Sequence, residues 1–308
     1  MEFRTLGRSG LKVSVAGLGC NNFGMRIDED RTREVLFAAL DAGINFFDTA
    51  RMYGGGKSEE FMGRVLRGRR DECVLATKFG GSRDPSDAGG SRRHILRSVE
   101  ISLRLLDTDH IDLLQLHYPD TDTPIDETLS ALTTLVQQGK VRYIGCSNFA
   151  GWQVADAHWI SETKHLESFV SVQNEWNLLN RSLESEVKPA CQRFGCSILP
   201  FFPLASGMLT GKVRRGEQAP EGSRLNNAYF ASSLNDTNFD KLERLEAWAR
   251  EHDRTITEVA LSWLASQPVV GSVIAGATSA EQVKINAEST KTDLTAAEVA
   301  EIGELVGR

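Results

Sequence analysis

The feature that most constrains the fold is an alternation. Eight short runs rich in β-branched, aliphatic and aromatic residues recur along the 308 residues, nearly all separated by stretches with helical periodicity. The strand-like runs are 15–19, 45–48, 73–78, 111–117, 141–147, 169–173, 197–202 and 271–275. Helical patterns fall at 28–42, 58–66, 91–106, 124–138, 152–162 and 183–194, then at 238–251, 257–266, 279–287 and 295–306. Asp30 is the expected N-cap of the first helix and Gly43 its stop. Parallel neighbours need a crossover to carry the chain back, and a helix supplies it, so the alternation implies a parallel sheet.

Eight such units close most simply into a (β/α)8 TIM barrel, an α/β fold. The competitor, an open doubly wound sheet, would carry a G-x-G-x-x-G turn after its first strand. Gly17-Leu18-Gly19-Cys20-Asn21-Asn22 lacks that spacing. Residues 3–15, with Gly7, Ser9 and Gly10 between two β-prone pieces, read as a hairpin that no helix follows. It is expected outside the barrel, as a cap on its N-terminal end. No linker or repeat divides the chain, so residues 1–308 are read as a single domain.

Two segments break the short-loop rule. Residues 203–237 follow strand seven, contain Gly207, Gly211, Gly216, Pro220 and Gly222, and show little periodicity; a loop of that length is usually a lid or binding loop. Residues 80–90 follow strand three and are also expected beside the site.

Charge narrows the function classes. A net charge of −7 and a pI near 5.5 argue against nucleic acid or an anionic membrane as partner, since both favour a basic face. Five cysteines, mostly in apolar runs, read as buried thiols in a reducing compartment. With no signal-peptide pattern at the start and no long apolar run, the expected location is cytoplasmic.

The C-terminal ends of parallel strands are where such proteins keep their chemistry. Those ends carry Asp48, Lys78 and His117, with Tyr53 in the Gly-rich loop after strand two. Taken singly, each has an ordinary structural role: a helix cap, a surface amine, loop packing, a satisfied core imidazole. Together they form one chemical group. A Tyr hydroxyl needs a nearby cation to stabilise its phenolate, and a buried Lys needs a carboxylate to stay charged. A His in reach can donate to a carbonyl oxygen. The group holds no nucleophile and no full set of metal ligands, so no metal is expected, and its electrons must come from outside.

Those residues stand in a longer pattern: Phe46-Phe47-Asp48-Thr49-Ala50, Tyr53-Gly54, Ser58-Glu59-Glu60, Ala76-Thr77-Lys78, Leu116-His117, Ile144-Gly145-Cys146-Ser147-Asn148-Phe149, Gln173-Asn174, Pro203-Leu204-Ala205-Ser206-Gly207 and Leu209-Thr210-Gly211-Lys212. In these the chain resembles the aldo-keto reductases, over essentially its whole length. The resemblance implies a barrel capped by a hairpin and reduction of an aldehyde or ketone by NADPH without a metal. It makes Tyr53 the general acid, with Lys78 lowering its pKa, Asp48 pairing with Lys78 and His117 orienting the carbonyl.

The same resemblance assigns Ser147, Asn148 and Gln173 to the nicotinamide carboxamide and Phe201 to stacking. It places Pro203, Leu204, Ser206, Gly207 and Lys212 over the pyrophosphate, and Gly276, Thr278, Ser279, Gln282 and Asn286 at the adenosine end. Cys20, at the end of strand one, joins the cofactor set. Phe201 replaces a common Tyr and keeps its π-face. Gly276 and Gln282 stand where many relatives have a Lys and an Arg against the 2′-phosphate. Thr278, Ser279, Lys212 or Arg214 are the substitutes, or NADH is accepted as well.

The pocket mouth is expected to draw on Asn22, Tyr118 and Trp152, with Phe23, Met25, Arg51 and Phe202, for a small-molecule aldehyde. The rival reading is a nicotinamide-binding redox sensor or regulatory subunit. A metal-dependent hydrolase is disfavoured, since no H-x-H pair or carboxylate cluster sits on the strand ends.

Overall fold

A computed structural model describes residues 1–81, 89–291 and 293–307. Its first strands, β1 (Phe3–Thr5) and β2 (Lys12–Ser14), pair antiparallel as a hairpin. Eight parallel strands follow: β3 (Ala16–Gly19), β4 (Phe46–Asp48), β5 (Val74–Phe79), β6 (Ile111–Leu116), β7 (Val141–Ser147), β8 (Ser171–Gln173), β9 (Ser197–Ile198) and β10 (Val273–Gly276). Their order is β10-β3-β4-β5-β6-β7-β8-β9. The two ends of that order meet. Ile198 N–H donates to Val269 O at 2.8 Å, Gly271 N–H to Ile198 O at 3.0 Å and Ile274 N–H to Pro200 O at 3.0 Å, so the sheet closes into a (β/α)8 barrel.

Helices α1 (Glu29–Asp41), α2 (Lys57–Val65), α3 (Arg92–Leu105), α4 (Ile125–Gln137), α5 (Gly151–Lys164) and α6 (Val187–Phe194) carry the first crossovers. Then come α7 (Ala228–Ala231), α8 (Asp236–Glu251), α9 (Ile256–Ala265), α10 (Ala280–Ser289) and α11 (Ala296–Val306). The cap of α1 is Asp28 rather than Asp30: Asp28 has extended backbone and accepts from Arg31 N–H, while Asp30 lies inside the first turn. The pattern at 183–194 is not one helix either. A 3-10 turn, Ser182–Ser185, precedes α6, and Glu186 between them leaves helical geometry at φ −135°.

The hairpin seals the N-terminal end, as expected. Gly7 N–H donates to Ser197 Oγ at 2.8 Å, and Asn45 Oδ1 accepts from Ser14 N–H at 2.7 Å. Gly7 is required there, because φ is +54° and a Cβ would lie 2.1 Å from Val170 O.

Strand alternation sorts the barrel interior into layers. Phe46, Val74, Leu113, Val170, Leu199 and Ile274 meet Leu6 and Val13 of the hairpin in a closed apolar layer. One pleat nearer the C-terminal ends, the inward positions become Asp48, Lys78 and Gln115, all buried. The outward positions, Phe47, Leu75, Leu114 and Ile144, pack against helices in a second, larger core. The apolar layer thus floors a polar one. Residues 203–237 form 3-10 turns at Ala205–Thr210 and Arg224–Asn226 and the short α7 before α8 begins. Of the loop at 80–90, residues 82–88 lie outside the described residues. Among the described residues no helix is long and apolar enough to cross a membrane.

Candidate active site

Asp48 ends β4, Lys78 is the inward residue near the end of β5, and His117 follows β6 directly. Tyr53 opens a 3-10 turn in which Gly54, Gly55 and Gly56 have φ of +59°, +66° and +96°, a path that a run of side chains would resist. That turn brings the phenol back over the strand ends.

Lys78 joins the group. Its Nζ donates to Asp48 Oδ2 at 2.6 Å, to Thr49 O at 2.9 Å and to Tyr53 Oη at 3.5 Å, which uses all three ammonium protons. Burial works against the charge of Lys78, but Asp48 and Tyr53 outweigh it and hold the ammonium above its ordinary pKa. Asp48 Oδ1 is held as firmly, accepting from Gln173 Nε2 at 2.8 Å and Gln115 Nε2 at 3.2 Å.

Burial raises the Tyr53 hydroxyl; Lys78 pulls it down and Asp48 pushes it up, and the balance lies above the ordinary phenol value. Lys78 does act downward, yet desolvation of the phenolate is the larger effect, so Tyr53 is a protonated donor throughout the neutral range. His117 moves the other way, down to about 3, through burial first and the Lys78 charge second. Its imidazole is neutral and carries one N–H. The ring meets Tyr53 edge-on at 5.9 Å and stacks on Tyr118 at 4.7 Å. Its Nδ1 is buried without a hydrogen-bond partner among the described residues. A cavity of about 310 Å3 opens beside it, lined in part by Arg51, Gly81, His94, Ser98 and Lys78.

Of the predicted cofactor residues, Ser147 and Gln173 stand at the ends of β7 and β8. Ser147 Oγ donates to Gln173 O at 2.8 Å. Asn148, held at φ +61°, donates from Nδ2 to His117 O at 2.9 Å. Gln173 commits its amide N–H to Asp48 and so turns its carbonyl oxygen away as an acceptor. Phe201 meets Phe202 edge-on at 5.1 Å. Pro203 and Leu204 lead into a cradle of positive-φ backbone at Ala205, Ser206, Gly207 and Gly211, and Lys212 beyond it is exposed. Cys20 is buried, its thiol raised well above its ordinary range by burial and by Asp48. Its N–H donates to Asp48 O at 2.8 Å, which makes it a structural neighbour of the group.

At the far end, Asn286 Nδ2 lies 3.5 Å from Gly276 O. Ser279 caps α10, and Thr278 donates its N–H and hydroxyl to Gln282 Oε1. Arg214 pairs with Glu246 of α8 at 2.9 Å. Asn22 is buried with both amide ends engaged, by Ala277 O at 3.1 Å and by Arg224, so it stands with the Gly276 end rather than free at the mouth. Tyr118 and Trp152 are exposed, as are Met25 and Met52, and Met52 lines the cavity.

Comparison with known proteins agrees. The model of the Aldo/keto reductase family matches residues 16–306. The chain belongs to this family. It is similar to a probable voltage-gated potassium channel subunit beta of Oryza sativa, at 38% identity over 93% of this chain and 90% of the other. It is likewise similar to the uncharacterized oxidoreductase YrpG of Bacillus subtilis, at 36% over 96% and 92%. L-glyceraldehyde 3-phosphate reductase of Escherichia coli O157:H7 matches at 33% over 94% and 87%. This aldo-keto reductase is an NAD(P)H-dependent oxidoreductase.

Two residues near the group of Asp48, Tyr53 and Lys78 are absent from the sequence expectations. Gln115 was within reach of them, since a period of two from His117 puts both on the inward face. Arg224 was not, because it lies in the aperiodic stretch after strand seven. Its Nη2 donates to Asn21 Oδ1 at 2.8 Å and Asn22 Oδ1 at 2.9 Å, and its guanidinium lies over the Phe202 ring at 5.6 Å. Burial and the nearby Arg26 lower its pKa, and among the described residues no carboxylate stands against it. A half-buried guanidinium that hydrogen-bonds neutral amides and lies beside Gly276 fits an anionic ligand.

Proposed function

We propose that this protein reduces aldehydes or ketones to alcohols with NADPH, and that Tyr53 delivers the proton. The observation that carries the reading is the single buried ammonium of Lys78, bridging a carboxylate at 2.6 Å and a phenol at 3.5 Å. The bound cofactor supplies the hydride. As negative charge develops on the carbonyl oxygen, the Tyr53 hydroxyl gives up its proton and Lys78 steadies the phenolate left behind. Asp48 keeps Lys78 charged. The N–H of neutral His117 donates to the same carbonyl oxygen and fixes which face of the substrate is presented.

Ser147, Asn148 and the free carbonyl of Gln173 would hold the carboxamide, with Phe201 against the ring. The cradle from Pro203 to Gly207, with Lys212 and Arg224, would take the phosphates; Gly276, Thr278, Ser279, Gln282 and Asn286 would take the adenosine. Arg224 supports NADPH as the preferred cofactor where Gly276 and Gln282 offer no cation. The exposed Tyr118, Trp152, Met25 and Met52 favour an apolar or aromatic carbonyl compound at the mouth.

Similarity to potassium channel beta subunits favours a second reading, a nicotinamide-binding regulator with little turnover. One assay separates them: NADPH and NADH consumption against neutral and carboxylated aromatic aldehydes. The reductase reading expects turnover with a lower KM for NADPH. Tight NADPH binding without turnover across the aldehydes would favour the regulator.

A further inference from the structure

Gln115 is completely buried in the middle of the barrel, in a layer that aliphatic side chains would fill without unmet hydrogen bonds. Its neighbours in register are Lys78 on one side and Gly145 on the other. Gly145 makes the room: a Cβ there would stand 2.4 Å from Ser171 Oγ and 3.3 Å from Gln115 Cγ. From this place the amide reaches across β5 to Asp48 Oδ1 at 3.2 Å. A carboxylate only accepts, so Gln115 must turn its NH2 toward Asp48, and its Oε1 is left buried without a partner among the described residues. An orphaned acceptor costs stability. A residue chosen for packing would not carry one.

We infer that Gln115 is a positioning residue for the proton donor: its amide N–H holds Asp48 Oδ1 in place and screens part of the carboxylate charge from Lys78 and Tyr53. The inference rests on the reading of Tyr53 as the acid. With Gln115 in place, Asp48 keeps Lys78 charged without pushing the Tyr53 hydroxyl further from a useful acidity. Gln173 shares Oδ1 at 2.8 Å but also borders the cofactor side, which leaves Gln115 as the donor with no other task. Among the described residues, the other titratable or charged groups facing this unit include His117, Tyr118, the Cys20 thiol and Arg224, with Arg51 and His94 lining the same cavity as Lys78.

Gln115→Met keeps the length and removes the dipole. Its expected result is a kcat lowered about tenfold, as for a shift of one pKa unit. The basic limb of the pH–rate profile moves to higher pH, because Tyr53 must be protonated to act and Asp48 now raises it more. The KM for NADPH changes by less than about twofold and Tm does not fall. Should that variant fold poorly, Gln115→Glu carries the test. It is isosteric and donates to Asp48 only while protonated, so its rate falls with rising pH across a range where the wild type is flat. An unmoved pH profile in a folded variant would overturn the inference, and so would a loss of Tm accompanied by an unmoved profile. Tyr53→Phe is measured alongside. Full activity in Tyr53→Phe would strike the underlying reading, whereas an inactive Tyr53→Phe with an unmoved Gln115→Met profile would strike the inference alone.

Discussion

Removing the ammonium of Lys78 should damage stability and catalysis by separate routes, and a pair of variants can separate them. Nζ stands 3.5 Å from Tyr53 Oη, so at an effective dielectric of about 20 it stabilises a phenolate by about 5 kcal/mol, more than three pKa units. If the proton is about half transferred in the transition state, roughly 2.5 kcal/mol acts on the rate. Lys78→Met should therefore lower kcat by about 50- to 100-fold. It also strands Asp48, which is 3% exposed, without its counter-ion. Breaking one side of a buried pair costs about 3–5 kcal/mol. For a chain of this size that corresponds to a Tm lower by roughly 6–20 °C. Adding Asp48→Asn removes the stranded charge and leaves an oxygen to accept from Gln115 and Gln173. The double variant should regain most of the lost Tm and remain as slow as Lys78→Met. Scanning calorimetry and steady-state NADPH oxidation read the two effects. The reasoning fails if Lys78→Met keeps kcat within about threefold, or if the double variant is no more stable than the single one.

Three further outcomes follow from the same geometry. Arg224→Gln should raise the Kd for NADPH by about 10- to 100-fold, the value of one charge-assisted hydrogen bond, and flatten its dependence on salt; titration calorimetry at two ionic strengths checks both. Since burial and Lys78 hold His117 down to about 3, its ring is neutral above that pH, and kcat should show no inflection from imidazole titration between about pH 5 and 8. A proton NMR titration of the ring would show a shift in that range if the reasoning were wrong. Gly81→Ala places a Cβ 2.6 Å from His117 Nδ1 and 2.8 Å from Met52 Sδ, at a backbone position outside the left-handed region. Substrate kinetics should worsen at an unchanged NADPH KM, with Tm within a few degrees of wild type.

Much of this was legible in the sequence because barrel periodicities are local. The apolar runs and amphipathic helices each announce themselves within a dozen residues, and strand ends fix where Asp48, Lys78 and His117 must gather. The failures have physical causes. Asp28 and Asp30 are equivalent as capping residues in composition, and only the extended backbone at Asp28 decides between them. The apolar run at 197–202 promised a longer strand, but β9 is Ser197–Ile198, with one further parallel bridge from Glu175 to Phe201. The bond from Gln173 to Asp48, a residue 125 positions away, emerges only when the barrel closes. Arg224 lies in a segment whose conformation is set by packing over the barrel mouth rather than by any repeat, so nothing in its neighbours marks it.

The central claim is that hydride and proton meet at one carbonyl beside Tyr53. It is tested most directly by a single turnover with NADPH deuterated at C4 of the nicotinamide and an aromatic aldehyde, in wild type and in Tyr53→Phe at equal cofactor occupancy. The account predicts deuterium at the carbinol carbon of the alcohol formed by the wild type. In the variant it predicts that transfer is slowed by at least about 100-fold, as expected for loss of a general acid. Equal transfer in both proteins would contradict it, as would an alcohol from the wild type that carries no deuterium.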